Sequence, residues 1–139
     1  MNIREVMSHD VKIASPEDTL QHAAQLMKDI DAGVLPVGEN DRLVGMLTDR
    51  DITIRAVAHN KTPAQTRVRD VMTDDIKYVF EDESADDAAR NMGELQVRRL
   101  PVLSRDKRLV GIVSLGDLAR KRASTPAKKA LEKVSQPSS

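Results

Sequence analysis

The tripeptide Leu35-Pro36-Val37 recurs as Leu100-Pro101-Val102, and the stretch RLVG at residues 42–45 recurs at residues 108–111. The first pair of copies is offset by 65 residues, and the second pair by 66. Chance does not readily produce two such matches in the same order. The chain therefore consists of two copies of one plan.

Each copy is predicted to contain three strands. A short alternating apolar run, at residues 11–13 and again at residues 76–79, predicts the first strand. Two further apolar runs follow in each copy, separated by polar turns of hairpin length. These runs cover residues 34–37 and 43–48 in the first copy, and residues 97–103 and 109–114 in the second.

Each copy is also predicted to contain two helices, which gives the order strand, helix, strand, strand, helix. In the first helix apolar residues recur at intervals of three and four, and Thr19 and Ser84 occupy the N-cap positions. Ser84 and Asp87 form a capping-box pattern that the first copy lacks. The second helix begins near Asp49 and near Leu115. The apolar positions of the first helices are Leu20, Ala23, Ala24, Met27 and Ile30, and Ala85, Ala88, Ala89, Met92 and Leu95.

The composition of the 139 residues excludes several classes of protein. The chain has 22 basic and 22 acidic residues, so its formal charge is zero and no global field attracts it to nucleic acid or a membrane. The absence of cysteine excludes disulfides, thiolate metal sites and thiol nucleophiles. Tyr78 and Phe80 are the only aromatic residues, which argues against a base-stacking RNA-binding sheet. The polar N-terminus has no signal-peptide pattern, and we expect a cytoplasmic protein.

The two copies are expected to form one body. A half of roughly 60 residues would bury only about 60% of its unfolded surface and be marginally stable alone, so the repeats are expected to pack sheet to sheet about a pseudo-two-fold axis. We assign the first motif to residues 1–59, the linker to residues 60–67, the second motif to residues 68–122, and a basic, partly disordered tail to residues 123–139.

This pattern resembles a known family, the paired CBS motifs of the Bateman module. The resemblance rests on Val6-Met7 and Val71-Met72, on the two Leu-Pro-Val strands, and on residues 44–51 and 110–117. It implies an α+β fold in which each β-α-β-β-α motif has a three-stranded sheet and two helices. It also implies two clefts between the motifs that take adenine nucleotides, and dimerisation into a disc. Short stand-alone bacterial members of the family are the most similar.

Two hydroxyl–carboxylate pairs, Thr48 with Asp51 and Ser114 with Asp117, follow the last strand of each copy. The pattern is typical of a structural capping box. It is also suited to binding, because a helix N-terminus attracts phosphate and a carboxylate accepts hydrogen bonds from ribose hydroxyls. The resemblance implies that the aspartates bind ribose and that the hydroxyls lie against sugar and phosphate. The two interpretations are compatible.

The remaining candidate ligand-binding residues are cationic or apolar. Arg50 and Arg99 are candidates for phosphate, with solvated surface arginine as the alternative. Gly116 replaces Arg50 and Val34 replaces Arg99 in the other copy, so the two sites are expected to be unequal. The prolines mark strand edges or bulges, or leave backbone groups unpaired for an adenine edge. The other candidates are Lys12 and Lys77 for phosphate, and Ile13, Pro36, Met46, Tyr78, Pro101 and Ile112 around the base.

Little in the sequence supports catalysis. His9, His22 and His59 are isolated, and the chain has no Walker loop and no metal-binding histidine pair, so we assign no catalytic residue and no metal site. Acidic stretches at residues 29–31 and 82–87 could attract Mg²⁺, but acidic residues at a helix start more often complement its dipole.

The sequence therefore favours a non-catalytic sensor that binds AMP or ATP, with NAD(H) or S-adenosylmethionine as alternative ligands. It requires no cofactor. The expected partners are the nucleotide, a second copy of the chain and an unidentified downstream protein, without a membrane. A protein-interaction or Mg²⁺-responsive module without an organic ligand is the first rival. A nucleic-acid arm in the basic tail is the second, and no recognition helix or aromatic platform accompanies it.

Overall fold

A computed structural model describes residues 1–121. These residues form two compact units. The middle unit contains residues Lys12–Ile76. The outer unit is built from both flanking parts, Met1–Val11 and the chain from Lys77 onward. The predictions for the tail at residues 123–139 lie outside the described residues.

The middle unit has a two-stranded antiparallel sheet and two α-helices, in the predicted order. A single parallel bridge joins Ala14 to Val37 at the edge of the first strand. The elements are α1 (Leu20–Ile30), β1 (Val34–Glu39), β2 (Arg42–Thr48) and α2 (Asp49–Arg55), with short 3-10 turns at Val57–His59 and Val68–Asp70.

The outer unit repeats this arrangement with a fuller sheet. Its three strands are ordered β3-β4-β5, with β3 parallel to β4 and β4 antiparallel to β5. The elements are β3 (Val79–Phe80), α3 (Ala85–Leu95), β4 (Arg99–Leu103), β5 (Leu109–Ser114) and α4 (Leu115–Lys121), after a 3-10 turn at Ile3–Glu5. The chain thus has the mixed α+β fold expected from the sequence.

The prediction of a first strand at residues 11–13 is wrong, because the pairing in that region is limited to the Ala14 bridge. In the second copy the strand lies at Val79–Phe80, at the end of the predicted run of residues 76–79.

Proline explains why the pairing before α1 in the middle unit is limited to the Ala14 bridge. In the outer unit the Glu81 N–H donates to the Leu103 carbonyl at 2.9 Å, which extends the ladder past β3. The corresponding residue of the first copy is Pro16, which has no N–H to donate. The preceding amide, that of Ser15, donates instead to the Asp18 carboxylate at 2.8 Å.

The predicted N-caps of both long helices are present. Thr19 accepts a hydrogen bond from the His22 amide at 3.2 Å, and Ser84 accepts one from the Asp87 amide at 3.4 Å. The Asp87 carboxylate pairs with Arg90 on the exposed face of α3. The apolar spacing places Leu20, Ala23 and Met27 in the middle core, and Ala85, Ala88, Ala89 and Met92 in the outer core.

Two of the apolar positions of these helices lie outside the core. Ala24 and Leu95 are exposed, because each lies at the margin of its apolar stripe. Leu95 is also the last residue of α3, one residue before the chain turns away at Gln96 with a positive φ of 56°.

The first residues of each repeat, 3–8 and 68–73, form what we call its lead segment. Each lead segment completes the core of the unit that contains the helices and strands of the other repeat. Ile3, Val6 and Met7, from the start of the first repeat, are buried in the outer unit. Val68 and Val71, from the start of the second repeat, are buried in the middle unit. Sequence repeats and compact units are therefore different divisions of the chain.

Each lead segment packs over a glycine of the adjacent strand. A Cβ built on Gly111 would lie 2.8 Å from the Met7 sulfur and 2.8 Å from the Ser8 carbonyl oxygen. A Cβ on Gly45 would lie 2.8 Å from the Met72 sulfur and 2.9 Å from the carbonyl oxygen of Thr73. The glycine of the recurring RLVG stretch is thus required for close approach of the lead segment.

The linker at residues 60–67 is bound to the start of α1. The Leu20 amide donates to the Thr66 carbonyl at 2.9 Å, and the Gln21 amide donates to the Pro63 carbonyl at 3.2 Å. The Thr66 side chain is buried and donates to the Thr62 carbonyl at 2.7 Å. The linker therefore satisfies backbone donors that the helix start would leave unpaired.

Candidate functional site

The junction between β2 and α2 carries the first hydroxyl–carboxylate pair. The Asp51 amide donates to Thr48 Oγ1 at 3.0 Å, and the Thr48 amide donates to Asp51 Oδ2 at 3.0 Å. This reciprocal arrangement is the capping box that the sequence predicts. Both side chains are half-buried, and among the described residues no donor is bonded to Asp51 Oδ1.

The outer unit has the corresponding pair between β5 and α4. The Asp117 amide donates to Ser114 Oγ at 3.0 Å, and both residues are half-buried. The bond from the aspartate amide to the hydroxyl is thus formed in both units.

Strand register places the apolar candidates on one face of each sheet. In the middle unit Pro36 lies opposite Met46, and in the outer unit Pro101 lies opposite Ile112. Because side chains alternate along a strand, these residues occupy the face opposite to the core residues. We call this the site face. The residues on the core side are Leu35, Val37 and Leu47, and Leu100, Val102 and Val113.

The residues at the start of each sheet extend the same rows. Ile13 directly precedes Ala14, which is bridged to Val37, so its position is next to that of Pro36. Tyr78 directly precedes Val79, which pairs with Val102, so its position is next to that of Pro101. Ile13 and Tyr78 are both partly exposed. The structure thus brings Ile13, Pro36 and Met46 together in one unit, and Tyr78, Pro101 and Ile112 in the other.

The two candidate arginines reach the junctions from different elements. Arg99 lies directly opposite Ser114 in the β4–β5 ladder, with Cβ atoms of such pairs about 5 Å apart. In the middle unit the residue opposite Thr48 is Val34, and Arg50 follows in the first turn of α2. Both arginines are exposed. Each unit therefore has one cation near its hydroxyl, from a strand in one unit and a helix in the other.

Lys12 and Lys77 are exposed and precede Ile13 and Tyr78 in the chain. Because successive side chains of an extended chain point to opposite faces of the sheet, Lys12 and Lys77 lie on the face opposite to the site face. Register therefore does not bring them to the apolar rows.

Two hydroxyl residues that the sequence analysis did not single out end the same rows. Ser8 and Ile112 exchange two backbone hydrogen bonds, of 2.8 and 2.9 Å, and Thr73 and Met46 exchange two of 2.9 Å. Each hydroxyl residue therefore occupies the position beside the apolar residue of the neighbouring strand. The signal was present in the repeat, because Met7-Ser8 matches Met72-Thr73 at the offset of 65.

A cavity of about 260 Å³ opens on the middle unit. It is lined by Met27, Lys28, Asp31, Ala32, Gly33 and Asp49. None of these residues is among the predicted ligand-binding residues, although Asp49 follows Thr48 in the chain.

The described residues contain no cluster of three or more histidine, cysteine or acidic side chains arranged to hold a metal ion. Over residues 1–121, no helix combines the length and hydrophobicity that a membrane span requires.

Asp82 and Arg105 form an ion pair at the edge of the outer sheet, and each shifts the pKa of the other. A hydrogen bond from Arg105 lowers the pKa of the Asp82 carboxyl below its usual 3.8, and the same bond raises the pKa of Arg105. Both side chains are exposed.

Comparison with known proteins agrees with this architecture. A family model described as the CBS domain matches residues 3–57 and residues 68–124. The chain belongs to the CBS-domain family. The CBS domain-containing protein YhcV of Bacillus subtilis is 42% identical over 118 residues, which are 85% of this chain and 83% of that protein.

Solved CBS structures share the fold. The structure of Hypoxic Response Protein I with two coordinated zinc ions is 40% identical with a TM-score of 0.76, over 88% of this chain and 99% of that one. Hypoxic response protein 1 of Mycobacterium tuberculosis is 43% identical over 118 residues, which are 84% of this chain and 82% of that protein. CBSX2 in complex with AMP is 26% identical with a TM-score of 0.72, over 86% and 94%. The CBS domain pair of protein MJ0100, in complex with 5'-methylthioadenosine and S-adenosyl-L-methionine, is 27% identical with a TM-score of 0.70, over 87% and 94%.

Proposed function

We propose that this CBS pair is a non-catalytic regulatory module that binds an adenine nucleotide, AMP or ATP, and signals to a partner protein. The observation that carries the proposal is the twofold occurrence of a hydroxyl–aspartate junction at the end of an apolar site face. Two solved CBS pairs with this fold hold adenosine compounds, which supports the same ligand class here. The relative YhcV, which this chain matches over 83% of that protein's length, is named as a CBS domain-containing protein and not as an enzyme.

In the proposed site the aspartates bind ribose. Asp51 uses Oδ2 for its cap, so Oδ1 is left to accept a hydrogen bond from a ribose hydroxyl. At Asp51 the ligand therefore does not have to displace the cap of α2. Asp117, whose amide donates to Ser114 Oγ, has the equivalent position in the outer unit.

Phosphate binds beside the ribose, at Thr48 with Arg50 and at Ser114 with Arg99. A guanidinium offers paired donors that match phosphate oxygens, and a hydroxyl donates one more hydrogen bond. Because Arg50 and Arg99 come from different elements, the two sites bind phosphate in different geometries and with unequal affinity.

The base packs on the site face. Ile13 and Met46 form an apolar surface beside the buried Pro36 in the middle unit, and Tyr78 and Ile112 form one beside the buried Pro101 in the outer unit. Pockets of this kind combine apolar walls with a few placed polar groups.

We also propose that the module is a homodimer. At the end of α2, Ile54 is 47% exposed and Val57 is 60% exposed, and together they offer an apolar surface for a second copy. Ile54→Asp with Val57→Asp is expected to convert the dimer to a monomer in size-exclusion chromatography with light scattering. An unchanged mass for this variant, or a monomeric wild type, would refute the dimer.

Thermal-shift measurements with AMP, ATP, NAD and S-adenosylmethionine test the ligand. A ligand that binds only the native state stabilises it by RT ln(1 + [L]/Kd), about 2.7 kcal/mol at a hundredfold excess over Kd. Asp51→Asn and Asp117→Asn keep an oxygen for the cap but remove the charged ribose acceptor. We expect each to reduce the ligand-dependent shift and to leave the unliganded midpoint near that of the wild type.

Asp29→Asn is the matched control, because Asp29 is an exposed aspartate on α1. Its ligand-dependent shift is expected to equal that of the wild type. The ligand proposal fails if no adenine compound shifts the midpoint, or if the two site variants respond as the control does.

A further inference from the structure

The two aromatic residues of the chain form a contact in the outer unit. The ring centroids of Tyr78 and Phe80 are 5.4 Å apart, with an angle of 86° between the ring planes. Edge-to-face packing of this kind is favourable and fixes one ring against the other. Tyr78 is 36% exposed, so part of its ring remains available to a ligand.

A charged pair also contacts Phe80. The Arg105 guanidinium carbon lies 4.2 Å from the centroid of the Phe80 ring. Arg105 Nε donates to both carboxylate oxygens of Asp82, at 3.0 and 2.9 Å, and Nη2 lies 2.9 Å from Oδ1. Asp82, Arg105, Phe80 and Tyr78 therefore form a continuous chain of side-chain contacts, which we call the aromatic clamp.

The clamp is poorly placed to stabilise the fold. The side chains of Arg105 and Asp82 are 62% and 39% exposed, and exposed ion pairs contribute little to stability. What the clamp does fix is the orientation of the Phe80 ring, and through it that of Tyr78. Tyr78 is also the residue whose position is next to Pro101 on the site face.

The middle unit has no counterpart of the clamp. Ile13 and Ser15 occupy the places of Tyr78 and Phe80, and the β1–β2 turn at residues 38–41 contains no basic residue to match Arg105. The clamp is therefore specific to one of the two sites.

We propose that Tyr78 stacks on the base of the ligand bound in the outer unit, and that Arg105, held by Asp82, is a positioning residue that orients Tyr78 through Phe80. This inference rests on the proposed function and deepens it, because it assigns base recognition to an aromatic ring in one site and to aliphatic side chains in the other. Aromatic rings stack on any base because every base has a π-face. The affinity of the outer site is therefore expected to depend more strongly on the base of the ligand than the affinity of the middle site does.

Intrinsic fluorescence tests the contact directly, because Tyr78 is the only tyrosine and the chain has no tryptophan. We expect AMP to change the tyrosine emission of the wild type in a saturable manner, after correction for absorption by the nucleotide. Ribose 5-phosphate, which has no base, is expected to leave the emission unchanged.

Variants then separate stacking from positioning, with affinities measured by calorimetry. Tyr78→Phe keeps the ring and is expected to bind AMP within about twofold of the wild type, whereas Tyr78→Ile is expected to weaken the outer site at least about fivefold. Arg105→Gln is expected to weaken AMP binding and to reduce the amplitude of the emission change. Arg105→Lys, which keeps the cation over Phe80, is expected to recover part of that amplitude.

The control is Arg90→Gln, because Arg90 also forms an exposed ion pair in the outer unit but does not contact the aromatic rings. It is expected to behave as the wild type. If AMP shifts the thermal midpoint but neither changes the emission nor binds more weakly to Tyr78→Ile, the stacking role is overturned and the proposed function stands. If no adenine compound shifts the midpoint or changes the emission, the proposed function fails as well.

Discussion

The middle and outer units share a backbone plan but differ in the side chains of the site face. Both have a lead segment over a glycine, and both join strand to helix through a hydroxyl and an aspartate. They differ in the cation, which comes from α2 in one unit and from β4 in the other, and in the residue beside the proline, Ile13 or Tyr78. Duplication therefore kept the frame and changed the side chains of the site face. Under the proposed function, the two sites are expected to differ in selectivity.

Replacing a buried residue of a lead segment should give the largest effect. Ile3 is completely buried in the outer unit although it begins the first repeat. Ile3→Ala is expected to cost about 2–5 kcal/mol of unfolding free energy in urea titrations, through lost transfer energy and a cavity.

Hydrogen exchange locates this loss. Ile3→Ala should accelerate exchange in β3, β4 and β5, whereas Val68→Ala, at the matching position, should accelerate it in β1 and β2. Leu95→Ala, at an exposed position of α3, is the control for loss of side-chain area. Acceleration in β1 and β2 on changing Ile3 would contradict the assignment of the lead segments.

Adding one methyl group at the paired glycines tests whether the two units share the same frame. Gly45→Ala and Gly111→Ala each place a Cβ within 3 Å of a methionine sulfur and a backbone oxygen, and the oxygen cannot move without the lead segment. We expect each substitution to cost about 1–3 kcal/mol in the same titrations. Ala58→Gly, at an exposed position after α2, controls for alanine–glycine exchange. A loss in only one unit would show that the frames have diverged.

Much of the plan was predictable from the sequence, because repeat matching and helical periodicity report local structure. The positions of α1 and α3 and the hydroxyl caps followed from residue spacing and type. The exchange of lead segments did not, because a repeat alignment shows that Val6-Met7 and Val71-Met72 correspond but not which sheet each one joins.

The parts of the site that the sequence missed depend on partners far apart in the chain. The place of Arg99 beside Ser114 is set by strand register, and the aromatic clamp needs a turn residue, Arg105, to meet residues more than twenty positions earlier. The absence of the first strand at residues 11–13 depends on the missing N–H of Pro16. Its effect becomes visible only when Pro16 is compared with Glu81, the matching residue of the second copy, whose N–H bonds to Leu103.

Removing the hydroxyl caps should give a smaller effect and sharpen the comparison at the junctions. Thr48→Ala removes an acceptor that satisfies the Asp51 amide, and should cost about 1 kcal/mol of unfolding free energy. Ser114→Ala should cost a similar amount in the outer unit. Thr53→Ala, in the exposed part of α2, gives the effect of losing a threonine outside a cap. A cost no larger than that of Thr53→Ala would mean that the hydroxyl does not stabilise the helix.

The smallest effect is the pH dependence of the clamp, which only the outer unit has. The Arg105 hydrogen bond holds the pKa of Asp82 below 3.8 in the folded chain. A carboxyl with a depressed folded-state pKa contributes stability that is complete above the unfolded-state pKa and is lost as pH falls through the folded-state value. The wild type should therefore melt at a slightly higher temperature than Asp82→Asn at pH 6, and the two curves should converge as pH falls below about 3.8. Added salt should narrow the difference at pH 6, because both side chains are exposed. Asp29→Asn should show no such convergence, and a difference between wild type and Asp82→Asn that persists at low pH would assign the effect to packing instead of charge.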